Sequence, residues 1–262
     1  MNLDLTGKSA LICGSTQGIG LACARELAEL GASVTLVARD AAKLAAVLAT
    51  LPLTSSGQHH DTLTADFSLP GSAAAAIKGA SPARTWHILI NNTGGPPGGP
   101  LLNASPEQFL FALQTQLFSA HALVALLVPG MKAARYGRII NIISTSVKQP
   151  IAGLGVSNTA RGAVAAWAKT LAGELGPLGI TVNNILPGYT NTDRLTALLA
   201  NKAAQAATTP QAVASELMAT IPAGRFGEAT EIAAAAAFLA SPSAGYINGI
   251  NLPVDGGRLG CL

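Results

Sequence analysis

Short apolar runs punctuate the chain, each bounded by Gly, Asn, Asp or Pro. They are SALIC (9–13), SVTLVA (33–38), TLTAD (62–66), HILINN (87–92), RIINIIS (138–144), ITVNNIL (180–186) and INLPV (250–254). They are rich in Ile, Leu and Val and do not alternate with polar residues, as expected of strands buried on both faces. Between them lie amphipathic or Ala-rich stretches of about 10 to 20 residues, the usual span of a globular helix. Strand and helix in alternation predict an α/β fold whose parallel sheet is covered by helices on both sides.

Asp40 stands as N-cap before AAKLAAVLATL, where its carboxylate can accept from a first-turn N–H. Pro129-Gly130 is expected to end another helix. The one long connection, 192–221, is helical by propensity and holds no strand run. In a doubly wound sheet it lies over the carboxyl edge, where ligands bind, so it is read as a substrate lid. With no repeat and no linker, residues 1–262 are read as a single domain.

Composition narrows the function classes. Hydrophobic residues make up 49% and charged residues 11% of the 262, ample for a large core. Net charge is +3 with no basic cluster, so neither nucleic acid nor an anionic membrane is an expected partner. No apolar run reaches the roughly 18 residues of a membrane span. The opening MNLDLTGKSALIC has no export signature, and Cys13, Cys23 and Cys261 lack metal-ligand spacing. No metal site is expected, and the location read from this is cytoplasmic.

The first strand run passes into Gly14-Ser15-Thr16-Gln17-Gly18-Ile19-Gly20, followed by the helical stretch LACARELAEL. Glycines in a strand-to-helix turn let a pyrophosphate approach the backbone and face the helix amides and positive dipole end. The spacing Gly-x3-Gly-x-Gly differs from the commoner Gly-x-Gly-x2-Gly fingerprint. The second strand ends LVARD, where an acid would bind a ribose 2′-hydroxyl. Ala38 holds the tip and Arg39 follows, and a guanidinium suits a 2′-phosphate by charge and bidentate geometry. Ser15 and Thr16 add hydroxyl donors. NADP(H) is therefore favoured over NAD(H).

With TADFS, NNTGG, GRIINIIS, NNILPGYTNT, IPAGRFGEATEIA and INLPVDGG in order along the chain, the sequence resembles the short-chain dehydrogenase/reductase family, and within it the 3-oxoacyl-acyl-carrier-protein reductase-like members. The resemblance implies a single-domain Rossmann-type sheet of about seven strands. It places Asp66 against the adenine ring, and Asn91, Asn92 and Gly94 on the adenosine side and central strand. Pro187, Gly188 and Thr192 would flank the nicotinamide carboxamide.

The family's chemistry uses Asn, Ser, Tyr and Lys. Ser144 is present, but by the family's spacing Ser157 falls on the Tyr position, Arg161 on the Lys position and Gln116 on the Asn position. A phenol titrates near 10 and can be lowered by a cation; an aliphatic hydroxyl is less acidic and shorter. Arg161 keeps a charge able to bind ribose but does not exchange protons as Lys does. The one-turn spacing of Ser157 and Arg161 puts both on one helix face. Ser157 is therefore not expected simply to inherit the proton transfer, and Lys148, four residues after Ser144, Tyr189 or water would supply the proton. Each taken singly reads as ordinary, a loop Lys and a packing Tyr, with Lys148 the stronger for its closeness to Ser144.

Two functions follow. One is an NADPH-dependent reductase of a small carbonyl compound, or oxidant of the alcohol, with a rearranged proton donor. The other is a non-catalytic NADP(H)-binding scaffold or sensor. Helices such as FLFALQTQLFSAHALVALLV are apolar on more than one face, which predicts self-association; the resemblance implies a homotetramer.

Overall fold

The computed structural model describes residues 1–80 and 84–261. In chain order, β1 (Ser9–Cys13) leads to α1 (Gly18–Glu29), β2 (Ser33–Ala38), α2 (Ala41–Leu48), β3 (Asp61–Thr64) and α3 (Ser72–Gly79). Next come β4 (Ile88–Asn91), α4 (Pro106–Leu113), α5 (Ser119–Ala133), β5 (Gly137–Ile142), α6 (Gly155–Leu175) and β6 (Ile180–Pro187). The chain continues through β7 (Thr190–Asn191), α7 (Asp193–Gln205), α8 (Pro210–Ala219), β8 (Gly227–Glu228), α9 (Ala229–Ala240) and β9 (Asn251–Val254). Each of the seven apolar runs forms a strand. Residues 192–221 hold two helices, α7 and α8, as their propensity predicts.

The seven runs pair in the order β3-β2-β1-β4-β5-β6-β9, every pair parallel. One face is covered by α1, α2 and α9, whose Leu27, Leu44 and Ile232 are buried against Ile12 and Ile90. The other is covered by α3, α5 and α6, with Ile77, Leu127 and Ala168 against Leu89 and Ile139. Burial on both faces explains why the strands read as continuous apolar runs. Strand order reverses between β1 and β4, which opens a crevice at the carboxyl edge.

One expectation is corrected. Pro129 does not end its helix: α5 runs on to Ala133 with Pro129 inside it. The proline forfeits one backbone bond near the helix end, while Met131, fully buried, anchors the last turn in the core. α4 and α5 are joined by a π-turn, Gln114–Phe118, into one helix of 28 residues, Pro106–Ala133, with an 18-residue window of mean hydropathy 1.6. By length and composition alone it is long enough to cross a membrane, where counting uninterrupted apolar runs found none. Its Leu123, Val124 and Leu127 are buried in this fold.

Across the centre of the sheet runs a line of amides. Asn91 Nδ2 donates to Asn141 Oδ1, Asn141 to Asn184 and Asn184 to Asn251, each at 2.8 Å. The four share a register across β4, β5, β6 and β9. Each buried amide satisfies the next, so these polar groups cost the core little.

Candidate active site

A groove of about 1050 Å³ opens at the carboxyl edge of the sheet, at the upper end of the roughly 300–1,000 Å³ of small-molecule sites. Its floor at one end is the glycine loop. Gly14 and Gly18 take positive φ, 61° and 55°, a conformation that costs glycine nothing. A Cβ on Gly20 would lie 2.1 Å from the Gly14 carbonyl oxygen, so Gly20 acts by letting α1 pack close. Asn92 Nδ2 ties the loop down by donating to the carbonyls of Cys13 and Gly14 at 3.3 and 3.2 Å. Gly18 and Ile19, which open α1 and whose N–H groups are unbonded within the helix, line the groove beside Thr16 and Gln17.

At the strand tips Arg39 and Asp66 both line the groove. Asp66 Oδ1 accepts from the Ser68 hydroxyl and N–H at 2.7 and 2.9 Å. Those bonds, with a smaller contribution from Arg39, hold its carboxyl below the usual range. Ser15 is different from expectation. It is fully buried, its Oγ turned to the Val37 carbonyl, and it does not line the groove.

The other end is built on α6 and the loop after β5. Ser144 caps the short 3-10 turn Thr145–Val147, its Oγ accepting from Ser146 N–H at 3.0 Å. That leaves the Ser144 O–H free to donate. Ser157 and Arg161 are buried on one face of α6 and both line the groove. Arg161 Nε donates to Ser157 Oγ at 3.2 Å, and Nη1 donates to the carbonyls of Ile142 and Ile143. Burial, and then the nearby Arg194, bring the Arg161 pKa down to about 10. The opposite wall comprises Pro187, Gly188, Tyr189 and Thr192, and the Thr192 methyl would lie 3.3 Å from a Cβ on Gly18.

A family model described as enoyl-(acyl carrier protein) reductase matches residues 14–258. The chain belongs to the short-chain dehydrogenase/reductase family. It is 34% identical to a 3-oxoacyl-acyl-carrier-protein reductase of Pseudomonas aeruginosa, covering 97% of this chain and 98% of that one. Among solved structures, an L-sorbose reductase of Gluconobacter frateurii, complexed with NADPH and L-sorbose, superposes with a TM-score of 0.93 at 30% identity over the whole of both chains. A 3-oxoacyl reductase of Agrobacterium tumefaciens with NADP bound gives 0.86 at 27% identity, covering 97% and 95%.

Against this family frame, the structure gathers Gly14, Thr16, Gln17, Gly18, Ile19, Arg39, Asp66, Asn92, Gly94, Ser144, Ser157, Arg161, Pro187, Gly188 and Thr192 around one groove. Lys148 is not among the lining residues; it follows the 3-10 turn that positions Ser144. Gln116 sits behind the groove, in the π-turn, on a cavity of about 20 Å³ that it shares with Asn141 and Arg161. Neither end of its buried amide has a partner among the described residues, and the cavity is the size of one water. Sequence reasoning had no signal for Arg194 and Arg258, which also line the groove.

Proposed function

We propose that this protein is an NADP(H)-dependent reductase of a ketone or aldehyde, 3-oxoacyl or other, with Ser157 as proton donor in place of a phenol. The observation that carries this reading is the bond from Arg161 Nε to Ser157 Oγ at 3.2 Å. It spends an oxygen lone pair of Ser157 on a cation and leaves the O–H to donate into the groove.

The residues fit the dinucleotide. The glycine loop offers free amides to a pyrophosphate, Asp66 keeps one carboxylate oxygen, Oδ2, outside its bonds to Ser68, and Arg39 stands where a 2′-phosphate would be met. The reduced nicotinamide, when bound, supplies hydride to the carbonyl carbon. Ser144 donates its free O–H to the carbonyl oxygen and fixes its position. Hydride arrival leaves an alkoxide, to which Ser157 gives its proton. A secondary alcohol and a serine are hydroxyls of one chemical class, so the transfer is near balance, and the Arg161 charge favours the serine alkoxide that remains. Solvent entering the open groove returns the proton to Ser157.

Lys148 has no part in this route. A cytoplasmic homotetramer accompanies the reading, and exposed Leu110, Phe111 and Phe118 along the α4–α5 helix support self-association. The test is oxidation of NADPH by purified protein over ketones, quinones and 3-oxoacyl thioesters. Turnover is expected with at least one class, unchanged in Lys148→Met. Tight NADPH binding with no turnover across the panel would replace the reductase by a nucleotide-binding scaffold.

A further inference from the structure

Charge is distributed unevenly along the groove. Its adenosine end carries Asp40 and Asp66 beside Arg39 and Lys43, whereas the lid end carries Arg161, Arg194 and Arg258 against Asp193 alone. Among the described residues the ion pairs are Arg84–Asp61 and Arg225–Glu231, so none of these three arginines has a carboxylate partner. The nearby Asp255 carboxylate is occupied by the N–H groups of Gly257 and Leu259 at 3.0 and 2.8 Å.

Each arginine carries a charge that no carboxylate among the described residues pairs with. Arg161 is nine-tenths buried, and its charge is met only by the neutral oxygens of Ser157, Ile142 and Ile143. Arg194 is the second residue of α7, where the helix dipole opposes a cation. Its guanidinium reaches across to the loop after β4, so that a Cβ on Gly95 would lie 2.6 Å from Nη2 and would displace it. Arg258 lies 4.6 Å over the Tyr189 ring, with its buried Nε unpartnered. A planar guanidinium fixed by stacking is prepared for bidentate contact with an oxyanion.

We infer that Arg194 and Arg258 form an oxyanion subsite at the lid end of the groove, and that the substrate is a carbonyl compound carrying a carboxylate or phosphate. This rests on the reductase reading. Leu154, Leu198 and Phe111, which also line the groove, suit a short apolar body between the carbonyl and the anionic group.

The test is calorimetric binding to the protein saturated with NADP+, followed by turnover with NADPH. The probes are acetoacetate against methyl acetoacetate, and dihydroxyacetone phosphate against dihydroxyacetone; the two pairs separate carboxylate from phosphate. At least one anion should bind about tenfold or more tighter than its neutral partner, as charge-assisted bonds require. Arg194→Gln and Arg258→Gln should each cut that preference about tenfold, with NADP+ affinity and melting temperature unchanged, and Arg258→Lys should restore part of it. Equal binding of anion and neutral partner overturns the inference. So does an Arg194→Gln variant that loses NADP+ affinity and keeps the anion preference, since the arginine would then serve the dinucleotide. Turnover of neutral ketones without anion preference sinks the subsite and leaves the reductase standing; anion preference without turnover does the reverse.

Discussion

Arg161 and Ser157 are joined across one turn of α6 by a 3.2 Å hydrogen bond from Nε to Oγ. This bond sets the chemistry proposed here. A family Lys lowers the pKa of a phenol; a guanidinium anchored on the carbonyls of Ile142 and Ile143 polarises a much weaker acid. General acid catalysis contributes about 10²–10⁴-fold, and the exchange of phenol for serine forgoes part of that.

Restoring the phenol and its ammonium should therefore speed the reaction. The double variant Ser157→Tyr/Arg161→Lys is expected to raise kcat about tenfold or more, within the range of acid catalysis. Steady-state NADPH oxidation measures this. No gain, with NADPH affinity intact, would mean that the wild-type proton donor is not limiting.

Arg39 should decide the coenzyme. Arg39→Asp removes a charge-assisted contact to a 2′-phosphate and adds repulsion, so NADPH affinity should fall about ten- to a hundredfold. NADH affinity should hold or improve. Fluorescence titration of both coenzymes, with salt fixed because exposed charges are screened, would show the exchange.

Acid should weaken the Arg225–Glu231 pair. Arg225 donates to both Glu231 oxygens at 2.7 Å, and this bond first, then Glu228 N–H, hold the Glu231 carboxyl at about 2 against an ordinary 4.5. A folded pKa below the unfolded one stabilises fully above 4.5, and the benefit is lost as pH falls towards about 2. Glu231→Gln should melt below wild type near neutrality, and the gap should close across that window. A gap independent of pH would show that the pair's charge is immaterial.

Thiol reactivity should follow burial. Desolvation pushes Cys13 and Cys23 up to about 12, whereas Cys261 is exposed. A thiol-specific chromogenic disulfide should titrate Cys261 alone in the native protein and all 3 cysteines after denaturation. Rapid native reaction of Cys13 would contradict the packing of β1.

The sheet was legible in the sequence because strands buried on both faces read as mainly apolar runs, and SALIC or RIINIIS announce that directly. The glycine loop was legible because a tight βα turn restricts residue type. What pairing and packing decide was not. Pro129 reads as a stop, yet the burial of Met131 carries α5 past it. Ser15 reads as a phosphate donor, yet the turn directs it at the Val37 carbonyl. The line from Asn91 to Asn251 exists only through register. Arg194 and Arg258 are far apart in sequence, and only the fold sets both on the lining of one groove.

Proton delivery by Ser157 is tested most directly by single-turnover consumption of bound NADPH, comparing wild type with Ser157→Ala at matched coenzyme saturation. The account predicts a rate lower by about a hundredfold in the variant, with coenzyme affinity unchanged. Equal rates in the two proteins would contradict it.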